Sequence, residues 1–357
     1  MAATMTEIAR EAKVSVPLVS RFFNNDPTLR ITPEKRASIL QAKVKLGGIK
    51  SVRLSKNLQK KLAHKISVPI NRIFSPKWVK TNIFGDEKFR AIEQTAKAKG
   101  FRVSISFFDD NERYEFLKDL APSQGYCDGF LLENGIVNKE IAEWLILNDI
   151  PHVSTDPSAD EFGVNTVYDH VIGGIRQAVN HLLELGHRRI GFFGTNHHYP
   201  MFVLAMTEKQ MPFRNQDVHM LKTLEPGENL GSVIMHARKE FAKWFSWKAG
   251  PTAVVCGNDH VALGVVDVLR SKGWAPGRDL SLIGWDNIEQ RGESPVEDPI
   301  LTTVNVPFDV IGQRCAQRLL DQVLNGQQII AHEHIPVELI TRCSTDKPRE
   351  NSLSLTK

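Results

Sequence analysis

Residues 6 to 25, Thr6-Glu-Ile-Ala-Arg-Glu-Ala-Lys-Val-Ser-Val-Pro-Leu-Val-Ser-Arg-Phe-Phe-Asn-Asn25, read as two short helices joined by a tight turn. Thr6 is placed to cap the first helix, in which Ile8, Ala9 and Ala12 share one face and Glu7 lies near the positive end of the helix dipole. A turn follows at Lys13 and Val14. Ser15 then caps a second helix with Val16, Val19, Phe22 and Phe23 as apolar positions and Ser20, Arg21 and Asn24 as polar ones. Pro17 falls two residues after that cap, where a missing N–H is harmless. A helical hairpin of this size is either an ordinary core element or a helix-turn-helix, whose second helix enters a DNA major groove.

Charge separates the two readings. Residues 1 to 65 carry 14 Lys and Arg against four acids (Glu7, Glu11, Asp26 and Glu34), an excess of ten. The whole chain is only +4, so the remainder, with 31 basic and 37 acidic residues, is −6. A basic head on an acidic body, coinciding with the helical pair, points to a polyanion at that end. A third helix follows: Thr32-Pro33-Glu34 is a cap with proline at the first helical position, Ile39, Leu40, Val44 and Leu46 form its apolar stripe, and Gly47-Gly48 stops it. Residues 49 to 65 are basic and poor in large apolar groups, as expected of a linker, with a short helix expected over Ser51 to Leu58.

The chain's 357 residues suit two or three domains, and 41% hydrophobic and 24% charged residues are typical of a soluble globular protein. No apolar run reaches membrane-spanning length. Thr6, Glu7, Arg10 and Glu11 interrupt any signal-peptide core, so a cytoplasmic location is expected. Cys127, Cys256, Cys315 and Cys343 are far apart in apolar settings and read as buried free thiols.

From about residue 66 strands and helices alternate. Expected strands are 101–108, 129–132, a segment beginning at 150–153, 189–193, 253–256 and 280–284; expected helices include 141–147, 171–185 and 261–272. This alternation implies parallel sheets in a doubly wound α/β body, whose ligands bind beyond the carboxyl ends of strands. Asp156, Asn258 with Asp259, and Asp286 fall there; each is either a turn former or part of a small-ligand site. Ile66-Ser-Val-Pro-Ile70 is interrupted by proline and reads as a poor central strand. The tail after Thr345 is polar and expected to be loose.

Several of these segments resemble the LacI/GalR family of bacterial repressors. Ser15-Val-Pro-Leu-Val-Ser-Arg21 is close to the family's Ser-x-x-Thr-Val-Ser-Arg. Cys127-Asp-Gly-Phe130, His181-Leu-Leu-Glu-Leu-Gly-His-Arg-Arg-Ile-Gly-Phe-Phe-Gly194, Asn258-Asp259 with Ala262-Leu-Gly264, Leu280-Ser-Leu-Ile-Gly-Trp-Asp286 and Leu301-Thr-Thr303 follow in the family's order and spacing. The resemblance implies an N-terminal all-α helix-turn-helix DNA-binding domain plus an α/β periplasmic-binding-protein-like body of two Rossmann-like lobes. It implies a helix-turn-helix domain at 1–49, a hinge at 50–65 and an effector-binding and dimerisation domain at 66–345. Within the last, the N-lobe takes about 66–160 and 300–325 and the C-lobe about 161–295 and 326–345, leaving a loose tail at 346–357.

The function so implied is a sequence-specific regulator, a repressor of a carbohydrate-utilisation operon under a small sugar-like effector held between the lobes. Its partners are double-stranded operator DNA, the effector and a second copy of the chain, with a tetramer left open; no cofactor, metal or membrane is implied. Thr6, Ser15, Val16, Pro17, Ser20, Arg21 and Asn24, with Leu54 and Leu58 in the hinge, are the expected DNA contacts. Val16 and Pro17 occupy the usual base-discriminating positions and offer only apolar readout; Arg21 pairs with guanine or touches phosphate. Asp169, Asn258, Asp286 and Phe308 fall on effector positions, carboxylates and amide for hydroxyls and the aromatic either for a sugar's apolar face or for core packing.

Five departures from the family pattern stand out. Lys13 replaces the turn glycine, Leu18 the threonine and Lys50-Ser51 the Pro-Asn before the hinge helix; the family's minor-groove leucine falls on Asn57, beside Leu58. The segment after Gly194-Thr195 lacks the arginine that often clamps the effector in the family. Three other readings are weighed against the repressor. A LacI-type regulator whose pocket does not answer to a sugar, or a cytoplasmic sugar-binding protein without DNA function, would share the body. An enzyme would need a nucleophile elbow, phosphate loop or dinucleotide fingerprint, and the sequence has none. His197-His198 and His332-Glu-His334 read as satisfied surface histidines rather than metal ligands.

Overall fold

The computed structural model describes residues 3–23, 26, 28–46, 62–71, 87–195, 198–212, 214–222, 230–291, 297–326 and 331–349. They form two compact units. The first takes in the described residues of Met1–Arg72, Glu87–Tyr168 and Asp309–His334, the second those of Asp169–Phe308 and Ile335–Lys357.

The first unit begins with helices α1 (Met5–Glu11), α2 (Val16–Phe23) and α3 (Pro33–Lys45). Ile8, Val19 and Ile39, one from each helix, are wholly buried, each worth about 1.5–3 kcal/mol of apolar burial. Strands and helices then alternate as the sequence requires: β1 (Lys65–Asn71), α4 (Glu87–Ala98), β2 (Arg102–Phe108), α5 (Arg113–Asp119), β3 (Gly129–Leu132), α6 (Lys139–Leu147), β4 (His152–Ser154) and β5 (Thr166–Asp169).

The second unit holds α7 (Val171–Glu184), β6 (Ile190–Gly194), α8 (Tyr199–Glu208), β7 (Val218–Met220), α9 (Leu230–Trp244), β8 (Ala253–Cys256), α10 (Asp259–Ser271), β9 (Ser281–Trp285) and β10 (Thr302–Asn305). Helix α11 (Phe308–Asn325) and strand β11 (His332–Ile335) return to the first unit, and β12 (Glu338–Ile340) closes the second.

Each unit is built on one six-stranded sheet, in the order β11-β5-β4-β3-β1-β2 in the first and β12-β10-β9-β8-β6-β7 in the second. The β1–β2, β1–β3, β3–β4 and β4–β5 pairs are parallel, as are β6–β7, β6–β8, β8–β9 and β9–β10; β12 runs antiparallel to β10. Strands β3, β6, β8 and β9 are buried along their whole length, which is why they read as continuous apolar runs rather than as alternating ones.

Five expectations need correction. Strand β1 lies inside its sheet despite Pro69: its pairing with β3 stops at Ser67, so the proline meets only β2 and its missing donor interrupts little. The lobe boundaries move, because β5 and β11 pair in the first sheet while β10 pairs in the second. Residues 161–168 and 331–334 therefore belong with the first unit and 300–308 with the second.

The start of the tail is tied down rather than loose. Ser281 Oγ and the buried His187 ring both reach the Asp346 carbonyl, and the Arg349 guanidinium lies 4.3 Å from the centre of the Trp274 ring. Residues 350–357 lie outside the described residues. Cys343 is exposed, whereas Cys127, Cys256 and Cys315 are buried and burial raises their thiol pKa values, to about 12 for Cys127 and Cys315. Finally, Thr4, not Thr6, caps α1: Glu7 N donates to Thr4 Oγ1 at 3.2 Å and Thr4 N to the Glu7 carboxylate at 2.7 Å. The reciprocal pair satisfies two otherwise orphaned donors, which Thr6, inside the helix, is not placed to do. Among the described residues, no helix is long and apolar enough to cross a membrane.

Candidate DNA interface and effector site

The head's turn is made by Lys13 in the left-handed region (φ 53°), with Val14 N bonded to Ala9 O at 2.9 Å. A glycine would sit there without strain. Ser15 Oγ accepts from Leu18 N at 3.4 Å, so the second helix is capped where the sequence places the cap. Val19 and Phe22 turn into the head, and the opposite face is left outside: Ser15, Val16, Pro17 and Arg21 are exposed, Val16 at 39%. Thr6 is exposed on α1 and Ser20 half-buried on α2. Asn24, Leu54 and Leu58 lie outside the described residues.

Arg21 is engaged. Its Nε donates to Asp26 Oδ2 at 2.7 Å and its Nη2 to Thr28 Oγ1 at 3.1 Å. Arg21, with Thr28, pulls the Asp26 carboxyl down to about 2. A fork-shaped contact from Arg21 to guanine would have to displace an exposed ion pair, and exposed pairs are weak. The apolar surface of Val16 and Pro17 remains suited to thymine methyl groups.

In the second unit, the carboxyl ends of β6, β8, β9 and β10 form one sheet edge. Asn258 follows β8 and caps α10, its Oδ1 accepting from Val261 N at 2.9 Å. Asp286 follows β9 in a positive-φ turn (φ 99°), with its N bonded to Val304 O at 2.9 Å. Phe308 follows β10 and is half-buried. The fold thus brings Asn258, Asp286 and Phe308 to one edge. Asp169 is elsewhere, half-buried at the end of β5 in the first sheet.

This edge is held by a carboxylate that the sequence left as a possible turn former. Asp259 is fully buried; its Oδ1 accepts from the Thr303 hydroxyl at 2.7 Å and its Oδ2 from Ile288 N at 2.9 Å. It therefore joins α10 to β10 and to the turn that bears Asp286. Burial pushes its carboxyl up to about 7, against those two hydrogen bonds, which favour the ionised form. Gly284 is required beside it, because a Cβ there would lie 1.8 Å from Asp259 Oδ1.

Two residues at this edge escaped the sequence reading. His198 is buried, not a surface histidine: its ring lies 4.5 Å from Trp285 and its Nδ1 2.8 Å from the Gly257 carbonyl. Arg291 lies over the Phe308 ring, 4.9 Å from its centre, and its Nη2 donates to Asn305 Oδ1 at 2.8 Å and to the Val306 carbonyl at 2.5 Å. A lone arginine in a loop five residues after Asp286 carries no sequence signal; only the fold places it on the aromatic. His332 and His334 are half-exposed on β11 and face Asp160, with His332 Nδ1 at 2.8 Å.

Residues 179–345 match the family model of a periplasmic binding protein-like domain. The HTH-type transcriptional repressor CytR of Escherichia coli (strain K12) is 28% identical over 350 residues, spanning 96% of this chain and 96% of the relative. The chain is similar to transcriptional regulators of the LacI/GalR type. Among solved structures, the transcriptional regulator CelR in complex with cellobiose has a TM-score of 0.63 at 20% identity, covering 96% of this chain and 99% of the other. The lac repressor dimer bound to operator and the anti-inducer ONPF has a TM-score of 0.61 at 21% identity, covering 97% and 100%. At these identities the two structures establish the shared fold; the family model covers residues 179–345, and the similarity to CytR spans 96% of the chain.

Proposed function

We propose that this chain is a LacI/GalR regulator that acts in the cytoplasm as a non-catalytic homodimer, binds a near-palindromic operator through the exposed face of α2 and answers to a small sugar-like effector. The carrying observation is the exposed row Ser15, Val16, Pro17 and Arg21 on the second helix of a basic three-helix head. Two such heads related by dimer symmetry would read half-sites about one helical turn apart, as the operator-bound lac repressor dimer suggests. The effector reading draws on Asn258, Asp286 and Phe308 at the strand ends of the second sheet, where α/β sheets take ligands, and on the cellobiose bound to CelR. Asp169 is proposed as a further effector contact on the family resemblance alone. The sugar-independent alternative draws on the arginine missing after Thr195.

Selection of bound duplexes from a random pool, followed by titration of the winning duplex with and without monosaccharides and disaccharides, tests both parts. A symmetric consensus whose affinity changes with one sugar is expected. A pool that yields no consensus would remove the operator reading, and a consensus indifferent to all sugars would leave the operator and remove the sugar.

A further inference from the structure

The reading head does not stand apart from the first unit. Lys43, near the end of α3, is 1% exposed, although lysine is almost never buried without a partner. Its Nζ donates to the Ile146 carbonyl at 2.5 Å and to Asp149 Oδ1 at 2.8 Å, at the end of α6 and just beyond it. Arg36, two turns earlier on α3, donates from Nε to Glu143 Oε2 at 3.0 Å. Between these two ionic contacts the surfaces are apolar. Ile39, Leu40 and Ala42 of α3 belong to one continuous buried cluster with Ile141, Ala142, Leu145 and Ile146 of α6. Phe23 of α2 and Trp144 of α6 border that cluster. An ammonium group withdrawn from water is costly unless a carbonyl and a carboxylate receive it. Both are present here, so the contact has the chemistry of a built seat rather than of a surface touch.

We propose that α6 with Asp149 is a seat for the chain's own head, and that operator binding draws on heads released from it. This rests on the reading that the head binds DNA. The seated head keeps its α2 face exposed but gives up charge. Lys43 and Arg36 are matched by body carboxylates, and Glu143 and Asp149 line the seat as fixed negative charges beside a surface that must approach phosphates. Seating and DNA binding therefore oppose each other electrostatically, and the apparent affinity for operator is reduced by the fraction of heads released. The reading surface and the seat lie on different helices, so the device tunes affinity without altering which bases are read.

The test is the full-length Glu143→Gln/Asp149→Asn variant. Asp149 sits at φ 51°, a conformation asparagine adopts readily, so the fold tolerates the change. Glu140→Gln, exposed on the same helix, is the control for a general loss of negative charge. Operator affinity is read by fluorescence anisotropy on a selected duplex, and amide hydrogen exchange is read across 139–147 without DNA. Expected are operator binding about three- to tenfold tighter than in the control, as the released fraction rises, and faster exchange across 139–147. Affinity equal to the control's, or weaker, overturns the proposal, as does exchange across 139–147 that the substitutions leave unchanged. If the wild-type protein binds no duplex at all, the DNA reading fails instead, and the exchange comparison still decides whether the seat exists.

Discussion

Asp259 gives the sharpest test of how the candidate effector edge is held. Its carboxyl titrates near 3.8 in an unfolded chain and at about 7 in the fold, because burial penalises the charge more than the Thr303 and Ile288 hydrogen bonds favour it. Each tenfold difference in proton affinity is about 1.4 kcal/mol, so the ionised group lowers stability by about 4 kcal/mol once pH is well above 7. The native chain binds this proton more tightly than the unfolded one, so stability falls as pH rises from about 4 to about 7 and then levels off. Between pH 5 and pH 8 the loss is about 2.5 kcal/mol. Asparagine has the same shape without the charge. Its oxygen accepts from Ile288 N–H, and its amide donates to the Thr303 hydroxyl, which turns to accept.

Asp259→Asn should therefore gain about 2–3 kcal/mol relative to the wild type as pH rises from 5 to 8. Half-buried His260, whose pKa desolvation lowers to about 4, imposes a slope of opposite sign, but it does so in both proteins and cancels in the comparison. The assay is urea unfolding of the full chain at pH 5, 6.5 and 8, followed through tryptophan fluorescence, with Trp244, Trp247, Trp274 and Trp285 in the second unit. Parallel pH profiles for the two proteins would refute the reasoning, because they would mean that Asp259 holds its proton no more tightly in the fold than in the unfolded chain.

Arg21→Ala should weaken binding to a selected operator by about 1–3 kcal/mol if the arginine leaves Asp26 for a guanine, measured by anisotropy; an equal loss on random DNA would mark a phosphate contact instead. Gly284→Ala should destabilise the second unit by more than about 2 kcal/mol in urea unfolding, since its Cβ would displace Asp259 from two hydrogen bonds at once, and a Gly284→Ala/Asp259→Ala double variant should cost less than the sum of the single changes. Calorimetry with a panel of neutral sugars and sugar phosphates should show any binding reduced at least tenfold by Asp286→Ala and by Phe308→Ala; tight binding indifferent to both would remove these residues from the effector site.

The parts legible in the sequence are those where local chemistry and burial agree. Gly129–Leu132 and Ala253–Cys256 are expected and found with the same limits because each is a short apolar run closed by turn residues, and a strand buried on both faces has little other way to read. The residues of strand β11, His332–Ile335, carry a weak strand signal because two histidines and a glutamate supply three of its four side chains. They are tolerated on an outer strand of the sheet, where Asp160, Arg314 and Arg318 receive them, and no periodicity announces that. The lobe boundaries were misplaced for a related reason. A crossover leaves no mark on composition, and only the pairing of β5 with β11 shows that the chain passes between units at Tyr168, Phe308 and His334.

The candidate effector edge divides in the same way. Asn258 and Asp286 announce themselves as polar residues after apolar strands, because the strand period ends where they begin. Asp259, Arg291 and His198 do not, since their roles are created by partners that lie 29 to 87 positions away for Asp259 and His198, and by an aromatic across an intervening strand for Arg291. Lys43 is the extreme case. On the helix stripe of α3 it reads as one more solvent-facing base in a basic head, and its burial depends on Ile146 and Asp149 more than a hundred positions away. The charge that made the head look like a DNA reader thus includes one residue withdrawn from that task. Counting bases in a sequence measures what a head can present to phosphate when released; the fold decides how much of it is presented at any moment.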